Sequence, residues 1–283
     1  MKSRRISLGD VQVIGFSAGE FMVDGGAMFG VVPRDVWRKL SPPDPDNRVP
    51  LALNCFLIKT PGALILADTG AGSLLNRRYL EAYRFRGTMD IPEALSVFGY
   101  APEDVDIVFN SHLHFDHCGG NMRKDARGEL VPAFPRARYI IRRGEWANAL
   151  HPVARDKPSY FPAGLKALEA SGRLELLDGD REIADGIDVF LVPGHTEFHQ
   201  CLRVSAGGGV FVVTGDLVPT AAHAGLDAIM SFDLFPAMTM ETKKAFYGKA
   251  LAGDWLLGLS HDPEHFFGRL RKTGSRYRFV SLS

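Results

Sequence analysis

A chain of 283 residues exceeds the ~150 residues expected of one average domain but stays near the reach of a single large α/β domain of about 250, so one domain over residues 1–283, with loop insertions, is the simplest expectation. Its 46% hydrophobic and 23% charged residues suffice for a sizeable core and are not those of a disordered chain. Lys plus Arg equals Asp plus Glu at 33 each, so there is no net field to hold a polyanion or an anionic membrane, and nucleic acid and membrane are poor partners.

The N-terminus MKSRRISLGD is basic, but the apolar run 11–16 is too short and interrupted for a signal-peptide core, and no later run approaches a membrane span. A cytoplasmic chain is therefore expected. Strands are predicted at 11–16, 55–59, 63–67, 105–109 and 139–142, then at 187–192 and 210–214. Between 11–16 and 55–59, the stretch Pro42-Pro43-Asp44-Pro45-Asp46-Asn47 reads as a surface loop, since hydrophobic patterning resumes at Leu51. Helices are predicted at 91–98 with a Pro in second place, at 162–170 ending on Ser171-Gly172, and at 240–251 after the cap candidate Thr239. Gly207-Gly208-Gly209 separates two strand-like runs and predicts a hairpin turn rather than a phosphate cradle. Strands and helices that alternate this way make an α/β sandwich with helices on its outer faces. Cys55, Cys118 and Cys201 are odd in number and scattered, which fits reduced thiols and not a disulfide framework.

The run ending at Phe109 leads straight into Asn110-Ser111-His112-Leu113-His114-Phe115-Asp116-His117, followed by Cys118-Gly119-Gly120-Asn121. Four side chains able to bind metal fall within six positions. In an extended segment side chains alternate sides, so His112 and His114 share a face, and a turn after Phe115 brings Asp116 and His117 back toward them. His195, Asp216 and His261 each follow a strand-like run (187–192, 211–214 and 255–259), and strand ends are where ligands converge in α/β sheets. Histidine and carboxylate donors without thiolate suit two divalent ions, Zn²⁺ first, with Mn²⁺, Fe²⁺ or Co²⁺ open. Two such cations about 3.5 to 4 Å apart lower the pKa of a shared water from about 15.7 toward roughly 7, which supplies hydroxide as nucleophile at neutral pH. No Ser or Cys nucleophile is then needed.

HxHxDH, then Gly-His-Thr, then Gly-Asp, then a late His resembles the ligand order of the metallo-β-lactamase superfamily, over nearly the whole chain. The resemblance implies an αββα sandwich in which His112, His114 and His195 hold one metal, Asp116, His117 and His261 the other, and Asp216 bridges both. It implies that Asp68, in Leu66-Ala67-Asp68-Thr69-Gly70, and His199 support these ligands from behind, and that Asp116 also moves a proton to the leaving oxygen. His114 stands where the oxygen-reducing diiron relatives carry Glu, which implies a hydrolase. A bridging Asp is missing from the true β-lactamases and usual in the lactonases, thioesterases, nucleases and organophosphate hydrolases.

Residues 24–33, and Gly215-Asp216-Leu217-Val218-Pro219-Thr220 with His223 beyond, are similar to the YtnP-like quorum-quenching lactonases. Residues 111–120 and the tail 277–280 are also similar to methyl parathion hydrolase. The resemblance thus implies a lactone- or ester-cleaving enzyme acting on a small molecule, with N-acyl-homoserine lactone as the specific expectation, and a homodimer. A phosphotriesterase or a glyoxalase II-like thioesterase is the alternative activity; a metal-free binding scaffold is the alternative class. Two departures stand out. Gly194-His195-Thr196-Glu197-Phe198-His199 replaces the common Gly-His-Thr-Pro-Gly-His, and Pro219 occupies the place where well-known lactonases put a Tyr that polarises the carbonyl. His223 is the candidate to take over that role, while Met28, Phe29, Met230, Phe232, Phe235 and Phe266 are the apolar candidates for a substrate pocket.

Overall fold

In the computed structural model, which describes residues 1–87 and 90–282, the apolar runs pair into two seven-stranded sheets. The first joins β1 (Ser3–Leu8), β2 (Val11–Asp24), β3 (Arg48–Lys59), β4 (Leu64–Ala67) and β5 (Ile107–Phe109). After the separate hairpin of β6 (Met122–Lys124) and β7 (Leu130–Pro132), it continues with β8 (Arg138–Arg142) and β9 (Leu174–Leu177). The second holds β10 (Arg181–Ala184), β11 (Ile187–Leu191), β12 (Gln200–Ala206), β13 (Gly209–Val213), β14 (Leu256–Gly258), β15 (Phe267–Thr273) and β16 (Arg276–Ser281) in chain order.

The sheets meet face to face. Phe56, Ile65, Ala67 and Phe109 of the first pack with Val189, Leu202, Phe211 and Val213 of the second, and the Phe56 ring lies 5.7 Å from that of Phe211. The opposite face of the first sheet, with Leu57, Leu66 and Tyr139, is covered by Ile91, Leu95, Trp146 and Leu165 from the helices Ile91–Ser96, Arg143–Leu150 and Pro162–Ala170. Helix Pro236–Ala252 covers the second sheet through Phe246, Tyr247 and Ala250 against Cys201, Val212 and Leu257. The layering is αββα, as the resemblance implied. Because the central strands are buried on both faces, they read as continuous apolar runs with no polar alternation. No helix among the described residues is long and apolar enough to cross a membrane.

Two elements exceed their expected bounds. Strand β2 runs on to Asp24 through a register shift between Ser17 and Glu20, where Ser17, Ala18 and Gly19 interrupt the β-branched pattern that ended the predicted strand at residue 16. The last helix starts at Pro236, because Pro is favourable in the first helical turn where its missing N–H goes unused; Thr239 lies inside it and donates its hydroxyl to the Phe235 carbonyl. The glycine turn forms as expected: Gly207 and Gly208 adopt φ of 58° and 73° between β12 and β13, which matches the two positive φ values of a tight hairpin turn. A Cβ on Gly207 would also sit 2.3 Å from the Gly9 backbone nitrogen.

Neighbouring parallel strands need crossovers, and these set the position of the site. β4, β5, β8 and β9 run parallel, as do β13 and β14. The residues just beyond the C-terminal ends of β4, β5, β11, β13 and β14 therefore open onto one edge of the sandwich.

Candidate metal centre

Each side chain on this edge is delivered by a strand end. β4 ends at Ala67, and Asp68 follows with φ of 56°, a left-handed conformation that costs a non-glycine residue about 1–2 kcal/mol. Hydrogen bonds fix it there: its Oδ1 accepts the Ser111 N–H (2.8 Å), and Oδ2 accepts the Ser111 hydroxyl (2.9 Å) and faces His117 Nδ1 at 2.9 Å. After β5, His112 and His114 leave an extended segment and the short helix Phe115–Cys118 turns Asp116 and His117 back, as their spacing predicts. His195, Asp216 and His261 arrive from beyond β11, β13 and β14. All seven are brought together: potential ligand atoms lie within 4.8 Å of one another in the sets His112–His114–His195, His112–His117–Asp216 and Asp116–His117–His261.

The imidazole hydrogens show what this cluster can hold. A ring nitrogen facing a carboxylate or a carbonyl carries the hydrogen, so in the neutral ring that binds metal the other nitrogen presents a lone pair. His117 Nδ1 faces Asp68, and His261 Nδ1 donates to the Ala52 carbonyl at 2.8 Å, so both Nε2 atoms present lone pairs; they stand 2.9 Å apart. His195 Nδ1 lies 2.7 Å from Asp233 Oδ1 and His114 Nε2 lies 3.0 Å from Asp156 Oδ1. Their inner atoms, His195 Nε2 and His114 Nδ1, likewise face each other at 3.1 Å. His112 Nδ1 sits 3.1 Å from the Ser111 hydroxyl, and its buried Nε2 has no partner. Asp216 lies among them, Oδ1 3.3 Å from His117 Nε2 and 3.1 Å from His261 Nε2, Oδ2 3.2 Å from His195 Nε2. Opposed lone pairs around a buried carboxylate repel unless positive charge lies between them, so these residues fit metal cations.

The titration of these groups shows the same demand for positive charge, which protons meet when no cation is bound. Burial opposes charge on His195, but Asp216 and Asp233 outweigh it and raise its pKa to about 9. Burial likewise works against His117 and His261, and the Asp216 charge overcomes it in both. Burial pushes the Asp216 carboxyl up, yet His261, His117 and His195 hold it well below the usual carboxylate range. His112 is driven well below the ordinary imidazole value by burial and by His117, His114 and His195. Cys118 is displaced upward by burial and Asp116, and its Sγ donates to the Leu113 carbonyl, so it stays a thiol.

His199 stands behind the cluster, its Nε2 accepting the Asp216 N–H at 3.0 Å. This approach depends on Gly215, where φ is 51° and a Cβ would come within 2.5 Å of that nitrogen. Pro219, in place of the lactonase Tyr, has a backbone part: its carbonyl accepts the His261 N–H at 2.9 Å.

Three acidic residues that sequence reasoning passed over complete the frame. Asp233 and Asp156 hold His195 and His114, and both are buried. Glu145, also buried, accepts the Leu113 N–H at 3.0 Å and the Thr196 hydroxyl at 2.7 Å, which ties the first motif to the residue after His195. No local signal marks them among 33 acidic residues in the chain; only burial does.

A cavity of about 110 Å³ opens over the cluster, walled in part by Met28, Tyr83, Asp116, Met230, Phe232 and Leu234. Phe29 and His223 do not line it, which corrects the expectation for both. Phe29 is buried with its ring stacked between Trp37 (5.1 Å) and His223 (4.6 Å). His223 faces the Thr220 hydroxyl at 2.7 Å and the Met28 carbonyl at 2.9 Å, and burial pushes its pKa down to about 3. Its Nδ1 is engaged within the 220–225 segment and its Nε2 joins that segment to the helix Gly25–Phe29, and a neutral, fully bonded ring has no capacity left to polarise a carbonyl. Phe266 also lies away from the cavity, against the core between the sheets.

The model of the metallo-beta-lactamase superfamily matches residues 48–261. The chain belongs to this superfamily. A protein from Bacillus sp. named N-acyl homoserine lactonase is 29% identical to this superfamily member over 170 residues, which are 56% of this chain and 61% of the lactonase, less than two thirds of its length. The crystal structure of a probable metal-dependent hydrolase from Staphylococcus aureus, 25% identical, superposes with a TM-score of 0.89 over 98% of this chain and 99% of that one. AidC, a dizinc quorum-quenching lactonase solved with its product N-hexanoyl-L-homoserine, is 21% identical and has a TM-score of 0.82 over 99% and 97%, a likeness of fold.

Proposed function

We propose that this chain is a metal-dependent hydrolase that opens lactones or related esters, with N-acyl-homoserine lactones as the substrate class. One observation carries the reading: two pairs of imidazole nitrogens, their hydrogens committed to outer partners, turn lone pairs on each other around Asp216. The names borne by the Bacillus relative and by AidC support it.

In this reading His112, His114 and His195 would hold one ion and Asp116, His117 and His261 a second, with the Asp216 carboxylate available to both. Nitrogen and oxygen donors without thiolate suit Zn²⁺, with Mn²⁺, Fe²⁺ and Co²⁺ also accommodated. When bound, such a pair supplies hydroxide at neutral pH and an electrophile for the carbonyl oxygen. The chain's own residues do the rest. Asp233, Asp156 and Asp68 fix the ring orientations, and the 16% exposed Asp116 carboxylate lines the cavity, where it can carry a proton to the leaving alkoxide. The apolar wall of Met28, Met230 and Phe232 limits water around the reacting ester. One water is consumed and one ester C–O bond breaks; a lactone opens to a single hydroxy acid whose new hydroxyl takes the proton that Asp116 carries.

The test combines elemental analysis with initial rates on N-hexanoyl-homoserine lactone and paraoxon. The expected result is close to two equivalents of transition metal per chain and acid release from the lactone. Faster release of nitrophenol from paraoxon would move the assignment to a phosphotriesterase. Less than one equivalent of metal after reconstitution, or every lactone, ester and phosphotriester left intact, would overturn it.

A further inference from the structure

At about 110 Å³ the cavity over the cluster falls short of the ~300–1,000 Å³ of sites that enclose a small organic ligand. A second cavity of about 300 Å³ opens beside it, and Arg155, Asp156 and Leu234 wall both. Taken as one groove, the two reach the lower part of that range.

Arg155 stands at the junction. Its Nη2 donates to the Ser231 carbonyl, so the side chain spans from the 151–160 loop to the 229–235 loop. It is also the one Lys or Arg among the described residues that lines the metal cavity. Beyond it the walls include Pro152, Val153, Leu234 and Phe235, with Val153 59% and Phe235 40% exposed. Exposed apolar side chains in a concave site gain most from covering by an alkyl chain. The Arg155 contact is with a neutral carbonyl, and exchanging it for a carbonyl of a bound molecule replaces one hydrogen bond by another of the same kind.

We propose that the second cavity is the subsite for the acyl arm of the substrate, and that Arg155 sets specificity by leaving Ser231 and donating to the amide carbonyl at the root of that arm. The assignment deepens the reading of the centre as a lactone-opening site and rests on it. The substrate class it names is an N-acylated lactone whose chain is long enough to pass Arg155.

The test uses metal-loaded full-length protein and homoserine lactones with four-carbon and ten-carbon acyl chains. Val153→Trp fills the second cavity from an exposed position, and the ratio of kcat/KM for the long over the short substrate falls by about tenfold or more, through KM. Arg155→Met raises KM for the ten-carbon acyl-homoserine lactone about tenfold more than for an alkyl lactone of similar length that lacks the amide. A ratio within about twofold of wild type in Val153→Trp, or equal KM changes for both lactones in Arg155→Met, overturns the subsite. A wild-type protein that opens no lactone removes the underlying activity instead, so the two failures are told apart.

Discussion

Replacing Asp233 with Asn tests whether the frame behind the histidines holds metal. Asp233 Oδ1 lies 2.7 Å from His195 Nδ1, and the residue is buried. An Asn oxygen still accepts from Nδ1, so the ring stays in place and only the charge is lost. A hydrogen bond to a charged group contributes about 1.5–3 kcal/mol and one between neutral groups about 0.5–1.5, so the difference is roughly 1–1.5 kcal/mol. At about 1.4 kcal/mol per factor of ten, Asp233→Asn weakens metal binding at the His112–His114–His195 position about tenfold. Asp233→Ala also frees the ring and falls toward the hundredfold end of the ~10–100-fold range for such outer partners. Competition for Zn²⁺ against a chromophoric chelator measures both without substrate. In the metal-free protein Asp233→Asn also lowers the His195 pKa from about 9, because Asp233 is among the groups that raise it. Affinities within about twofold of wild type in both variants would refute the argument that Asp233 tunes the ligand, since the expected range starts at about tenfold.

Asp116→Asn retains metal more weakly and loses about tenfold to a hundredfold in kcat, the range for loss of a general acid, as steady-state rates will show. His223 gives a pH dependence of known sign: its folded pKa of about 3 lies below the unfolded value of about 6.5. Its contribution is complete above pH ~6.5 and is lost as pH falls toward 3, because the unfolded chain takes a proton that the folded one refuses, at up to about 1.4 kcal/mol per pH unit. Urea denaturation at stepped pH should therefore show a shallower acid slope in His223→Gln than in wild type; an identical slope would show that this ring does not contribute. Gly215→Ala places a methyl against His199 Nε2 and requires a left-handed Ala; a stability loss of about 1–2 kcal/mol or more is expected from chemical denaturation.

Much of the cluster was legible because its chemistry is concentrated. His112, His114, Asp116 and His117 sit within one short segment whose period-two and turn geometry can be worked out on paper, and the structure closes that segment as the short helix Phe115–Cys118. His195, Asp216 and His261 were legible by their place after apolar runs. The pocket was less so: Met28, Met230 and Phe232 line the cavity while Phe29, Phe266 and His223 do not, although apolarity along the chain treats all the Met and Phe side chains alike. Helix phase decides between Met28 and Phe29, which are neighbours with side chains pointing different ways.

The sequence by itself determined the layered architecture and the donor set, because burial patterns and ligand types are local properties that any fold must respect. The tertiary structure decided which acids back which rings, Asp233 to His195, Asp156 to His114 and Asp68 to His117, and that Glu145 binds two motifs together. It also decided that Arg155 reaches the Ser231 carbonyl between two cavities whose walls it shares. These pairings join residues distant along the chain, and a carboxylate becomes special only when burial removes water and leaves one imidazole within reach, which no stretch of sequence records.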